Sequence, residues 1–199
     1  MIRMQIALPD WVDEEIAARG ALRTPEERMR FAIHLATRNV ERGTGGPFGA
    51  AVFRSGEEIP VAVGVNRVVA SGYAAAHAEV LALSLAQAVV GSFDLGADGA
   101  SYELVTSTEP CAMCLGAVCW SGVRHLICGA RGADAEEVGF DEGPKPERWP
   151  LELERRGIRV TRDVLRAQAR AALHSYAGGG GEVYSPRAPA RALRGPQDE

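Results

Sequence analysis

The sequence predicts a single α/β domain, a three-layer α/β/α sandwich around a mixed sheet of about five strands, and three observations carry that prediction. Short apolar runs of strand character, at 49–53, 59–65, 102–106, 125–128 and 158–161, alternate with stretches of helical apolar spacing. The first two runs are separated only by Ser55-Gly56-Glu57-Glu58, a hairpin signal, whereas helices separate the later ones, which implies a mixed sheet covered on both faces. Finally, 199 residues with 46% apolar and 24% charged side chains suit one core with appendages and exclude a disordered chain.

Each element has a local cause. Thr24-Pro25-Glu26-Glu27 reads as a helix start, with Thr24 as N-cap, Pro25 at the first helical position and Glu27 closing a capping box. Phe31, Leu35 and Val40, with Ile33 and Ala36 beside them, continue that helix until Gly43 and Gly45-Gly46-Pro47 end it. In the hairpin that follows, Pro60 points to an edge position or a late strand start. Residues 74–90 form an Ala/Leu-rich helix, 111–120 a second helix, and 163–176 a third. The stretch 129–146 is loop-like, with one helical turn near Asp134-Ala135-Glu136-Glu137, and its length marks it as a candidate active-site wall. Gly178-Gly179-Gly180-Gly181 reads as a hinge before a Pro-, Ala- and Arg-rich tail from Pro186 that is expected to be poorly ordered. The expected organisation is therefore an N-terminal extension (1–23), a catalytic domain (24–176) and a hinge with tail (177–199).

Composition narrows the partners. A net charge of −4 offers no basic track for nucleic acid, and no apolar run reaches membrane length. The N-terminus turns acidic at Asp10 and Asp13-Glu14-Glu15, unlike a signal peptide, so a cytoplasmic location is expected. All four cysteines, Cys111, Cys114, Cys119 and Cys128, crowd into one short stretch, which does not resemble a disulfide framework.

Cys111 and Cys114 stand at i and i+3 in Pro110-Cys111-Ala112-Met113-Cys114, so both sulfurs share one face at a helix N-terminus that favours thiolates. His77-Ala78-Glu79 opens the preceding helix, and two positions correspond to about 200° of helix rotation, so His77 and Glu79 converge only beyond the helix end. Zn2+ held by His77, Cys111 and Cys114 between two helix N-termini satisfies both constraints. Three protein ligands leave a fourth position open, the mark of catalytic zinc, and Glu79 remains free to carry protons. Cys119 falls on a helix body and Cys128 on an apolar strand without a second CxxC, so both read as core.

The His-x-Glu and Pro-Cys-x-x-Cys pair is the signature of zinc deaminases acting on nucleobases. Together with Gly45-Gly46-Pro47-Phe48-Gly49-Ala50, Asn66, the run from Thr106 to Ala117 and Gly139-Phe140-Asp141-Glu142, it resembles guanine deaminases of the cytidine deaminase-like fold over about residues 25–185. The N-terminus and the stretch around Trp149 are similar to a bacterial branch that also accepts the amino-triazine ammeline. The resemblance implies hydrolytic loss of the 2-amino group of guanine, with Glu79 as proton carrier and Glu142 as substrate-orienting group and second proton shuttle. It further implies substrate contacts at Asn66, Phe48, Ala78, Trp120 and Tyr184, of which Tyr184 would close the site, and it implies a homodimer. A tRNA adenosine or cytidine-type deaminase is the alternative enzyme, and a non-catalytic zinc-binding module the alternative of another class.

Overall fold

A computed structural model of the chain describes residues 5–184. The tail expected from Pro186 lies outside the described residues. Five strands, β1 (Gly49–Arg54), β2 (Ala62–Val65), β3 (Tyr102–Thr108), β4 (His125–Ala130) and β5 (Arg159–Thr161), form one sheet in the order β2-β1-β3-β4-β5. β1 runs antiparallel to both neighbours, with Ala51 opposite Val63 and Val105, while β3, β4 and β5 are mutually parallel. The helices are α1 (Trp11–Ala18), α2 (Pro25–Glu41), α3 (Val68–Ser71), α4 (Ala78–Val90), α5 (Ala112–Trp120), α6 (Gly132–Glu137), α7 (Trp149–Arg155) and α8 (Arg166–Gly178).

Alternation along β1 shows how three layers arise. Ala51 and Phe53 point into a core built with α1, α2 and α8, whereas Ala50 and Val52 point into a second core under α4, α5 and α7. Phe31, Phe53, Leu35, Leu104 and Leu126 are fully buried across these two cores, each stabilising the fold by about 1.5–3 kcal/mol. The expected capping box forms: Thr24 Oγ1 accepts from the Glu27 N–H at 3.2 Å, and Glu27 Oε2 accepts from the Thr24 N–H at 3.0 Å. Gly64 of β2 sets the depth of the second core. A Cβ there would collide with the Ala78 carbonyl and come within 2.6 Å of the Ala82 nitrogen, so only glycine lets the start of α4 rest directly on the sheet.

Several boundaries depart from expectation for local reasons. β2, by contrast, begins late, at Ala62, and lies at the sheet edge, as Pro60 implies, because proline cannot donate to the ladder. α4 begins at Ala78 with His77 as an extended N-cap, four residues later than the Ala-rich composition implies. α8 begins at Arg166 because Asp163 and Leu165 adopt positive φ. α7 was hidden by Pro146 and Pro150, although proline is tolerated in a first helical turn. The segment before Thr24 packs onto the core through Trp11 and Val12, and Glu15 bonds His34 at 2.6 Å and Arg38 at 3.0 Å on α2. The glycine run is held rather than loose: α8 continues through Gly178, and the Tyr176 hydroxyl donates to the Glu182 carbonyl at 2.8 Å. Among the described residues no helix is long and apolar enough to cross a membrane.

Arg166 at the start of α8 bonds both oxygens of Asp134 on α6 at 2.8 Å, tying the long loop to the helix beside which it packs. That guanidinium holds the Asp134 carboxyl, ordinarily near 3.8, down to about 2. A depressed folded value means that the stabilisation is fully present above the unfolded pKa and is lost as pH falls through about 2. Asp134→Asn should therefore lower the melting temperature at pH 7 and flatten its decline between about pH 4 and 2. Melting curves across that range check it.

Candidate active site

Two helices start at one place. His77 and Cys111 are the N-caps of α4 and α5, both with extended backbone (ψ 152° and 174°), and neither side chain caps its own helix. Both side chains turn instead toward Cys114, one turn into α5. His77 Nδ1 lies 3.5 Å from Cys111 Sγ and 3.4 Å from Cys114 Sγ, and one ligand atom from each residue falls within 4.8 Å of the others. A tetrahedral zinc with Zn–N about 2.0–2.1 Å and Zn–S about 2.3 Å separates its N and S ligands by about 3.5 Å, so the arrangement fits.

The donor chemistry agrees with the spacing. The hydrogen bond from the Cys114 thiol, with His77 assisting, brings the Cys111 thiol down to about 4, while the same bond and burial push Cys114 well above the ordinary thiol range. A thiolate at Cys111 beside a second sulfur and an imidazole nitrogen is the donor set that a soft cation takes. Glu79 is buried beside them in the first turn of α4. Burial pushes its carboxyl up to about 7, the Cys111 charge adding to the effect, and among the described residues it makes no salt bridge.

Above this cluster lies a small cleft lined by Phe48, His77, Glu79, Glu109, Cys111, Phe140, Asp141, Glu142 and Tyr184. Phe48 meets Phe140 edge-on at 4.9 Å between centroids, and Tyr184 lies 5.6 Å from Phe140 and 6.0 Å from the His77 ring. Asn66, fully buried just after β2, donates from Nδ2 to the Tyr184 hydroxyl at 2.5 Å. Its own carbonyl is held by Asn39 Nδ2 at 2.8 Å. Glu142 comes from the loop after α6. Burial raises its carboxyl above the ordinary range against the opposing charge of Lys145.

Of the residues singled out from sequence, His77, Glu79, Cys111, Glu142, Phe48 and Tyr184 line one cleft; Cys114 and Asn66 stand directly behind it. Two do not join them. Ala78 is fully buried in the core beneath α4. Trp120 is no wall of this cleft: nine residues beyond Cys111 at 1.5 Å each place it about 13 Å along α5, where it is 82% exposed. The structure adds Phe140, Glu109 and Lys145 to the site. Phe140 belongs to the Gly139-Phe140-Asp141-Glu142 run, but nothing local in the sequence marks Glu109 or Lys145, whose places depend on packing. Cys119 and Cys128 stay out of the cluster, Cys128 in the second core and Cys119 packed against it.

The family model of the cytidine and deoxycytidylate deaminase zinc-binding region matches residues 22–130, a span that contains His77, Glu79, Cys111 and Cys114. Guanine deaminase of Bacillus subtilis (strain 168) is 41% identical over 117 residues, covering 59% of this chain and 71% of that protein. A solved structure of guanine deaminase from Nitrosomonas europaea is 49% identical with a TM-score of 0.84, over 88% of this chain and 97% of that one. NE0047 in complex with 2,6-diaminopurine is also 49% identical, with a TM-score of 0.86 over 94% and 98% of the two chains.

Elemental analysis of the purified protein should find one zinc per chain. Cys111→Ala and Cys114→Ala should abolish stoichiometric zinc, and Cys119→Ala should retain it. Retention by either of the first two would remove that sulfur from the ligand set.

Proposed function

The chain belongs to the cytidine and deoxycytidylate deaminase zinc-binding family, and from that premise we propose that it hydrolyses guanine to xanthine and ammonia. The observation that carries this reading is the convergence of His77, Cys111 and Cys114 beneath a small cleft, with Glu79 lining that cleft beside them. The likeness to guanine deaminases supports guanine, and ammeline presents the same N–C(NH2)–N unit.

When zinc is bound by those three side chains, it supplies Lewis acidity that lowers the pKa of water from about 15.7 to about 7. Glu79 then does what a buried carboxylate next to that position can do. It accepts one proton from the attacking water and delivers it to ring nitrogen N3, then takes the second from the hydroxyl now on C2 and passes it to the amine, which leaves as ammonia when the C2–N bond breaks. Phe48 and Phe140 give the purine flat apolar walls that exclude water. Glu142 accepts from the N–H groups of the base and turns C2 toward Glu79. Asn66 offers its amide to the ring once Tyr184 releases it, and the Tyr184 ring closes the cleft from the C-terminal side.

We further propose that the protein acts in the cytoplasm, on free base, as a homodimer. The net charge of −4 supports a free base over one carried by RNA. α5 bears no charged residue on any face and leaves Met113 and Trp120 exposed, an apolar surface suited to a second copy of the chain.

Zinc-loaded protein incubated with guanine should release ammonia and xanthine in equal amounts. No release from guanine or ammeline while zinc is bound would contradict the reading. Glu79→Gln should keep zinc and lose about 10²- to 10⁴-fold in turnover. Parallel loss of metal would make Glu79 a ligand instead.

A further inference from the structure

Behind Glu142 lies a buried cation that the steps above do not use. Lys145 Nζ donates to Glu142 Oε2 at 3.0 Å and to the Pro110 carbonyl at 3.1 Å, and sits 5.5 Å from the centroid of the Trp149 ring. Two oxygens and one aromatic face account for the three N–H groups of an ammonium. The Lys145 and Glu142 side chains are only 12% and 8% exposed. A pair this deeply desolvated adds little net stability, because the cost of removing both charges from water offsets their attraction. Stability is therefore a poor reason for its presence.

The surroundings hold the pair from every side. A Cβ on Gly132 would stand 2.9 Å from Lys145 Nζ and 3.0 Å from Glu142 Oε2, so the backbone at the start of α6 presses directly on both. The Glu142 carbonyl accepts from the Ala112 N–H at 2.8 Å, which ties the same residue to the first turn of α5. Trp149 is itself buried, and the Arg162 guanidinium, held by Glu109 at 2.6 Å, lies 5.6 Å from its ring. Glu142 Oε2 is thus occupied, whereas among the described residues Oε1 has no hydrogen-bond partner, and Glu142 lines the cleft.

We propose that Lys145 is a positioning residue for deamination: it clamps Glu142 Oε2 to the Pro110 carbonyl, fixes the rotation of the carboxylate, and leaves Oε1 for the base. Because Pro110 directly precedes Cys111, the clamp references Glu142 to the start of α5, where the ligand cysteines stand. Small misplacements of an orienting group lower rates steeply, which gives the clamp its function. The proposal rests on the assignment of Glu142 to the substrate made above.

A double-mutant cycle on zinc-loaded protein tests it, with kcat/KM for guanine, zinc content and melting temperature read together. Lys145→Met should keep zinc and lower kcat/KM about tenfold or more in the wild-type background, but less than about twofold in a Glu142→Gln background. No loss in the wild-type background, or equal losses in both, would overturn the proposal, the second because a merely structural role acts independently of Glu142. An unchanged kcat/KM for Glu142→Gln alone would overturn the Glu142 assignment and the proposal with it. Should Lys145→Met fail to fold, Lys145→Gln, which keeps a donor without the charge, is compared across the same two backgrounds by the same criteria.

Discussion

The meeting of two helix N-termini is the constraint on which the rest of this molecule depends. His77 and Cys111 occupy the positions where a serine or aspartate would ordinarily cap a helix, and neither does so. Forgoing a side-chain cap costs about 1 kcal/mol per helix. Zinc bound through cysteine and histidine supplies about 10–16 kcal/mol in small peptides, so the exchange is favourable by a wide margin. The helix dipoles add in the same direction, since both positive ends face the thiolates. An extended N-cap is also what allows His77 and Glu79, two residues apart, to address one point.

The sheet supplies the geometry. β1 pairs antiparallel with β2 and β3, so the chain leaves the hairpin on the side from which α4 must start, and parallel β3 and β4 place the start of α5 at the same end. Gly64 brings α4 against the sheet closely enough for the two starts to meet. Three buried carboxylates then surround the cleft in different states. Glu109 is tied to Arg162 and Glu142 to Lys145, while Glu79 faces the sulfurs with no cation of its own among the described residues. That division of partners suits the orienting role proposed for Glu142 and the proton-carrying role proposed for Glu79, and leaves Glu109 a structural acid.

Much of this was legible in the sequence where the signal is local. The Thr24–Glu27 capping box, the hairpin and the i, i+3 cysteines depend on nearest neighbours, and each forms as read. The helical reading of 74–77 failed because alanine content reports propensity, whereas His77 is held extended as the N-cap of α4. Trp120 failed because an aromatic near a metal motif in sequence need not be near it in space once a helix intervenes. Lys145 carried no local mark at all. Its meaning comes from Trp149, Pro110 and Gly132, which only the folded chain assembles around it.

The central claim is a zinc held by His77, Cys111 and Cys114 alone, with one coordination position left for chemistry. Zinc K-edge absorption fine structure of the zinc-loaded protein tests this most directly. The account predicts two sulfurs at about 2.3 Å and two lighter scatterers at about 2.0–2.1 Å, one of them with the outer-shell pattern of imidazole. Three or four sulfurs would mean that Cys119 or Cys128 had entered the shell and closed the open position, and would contradict it.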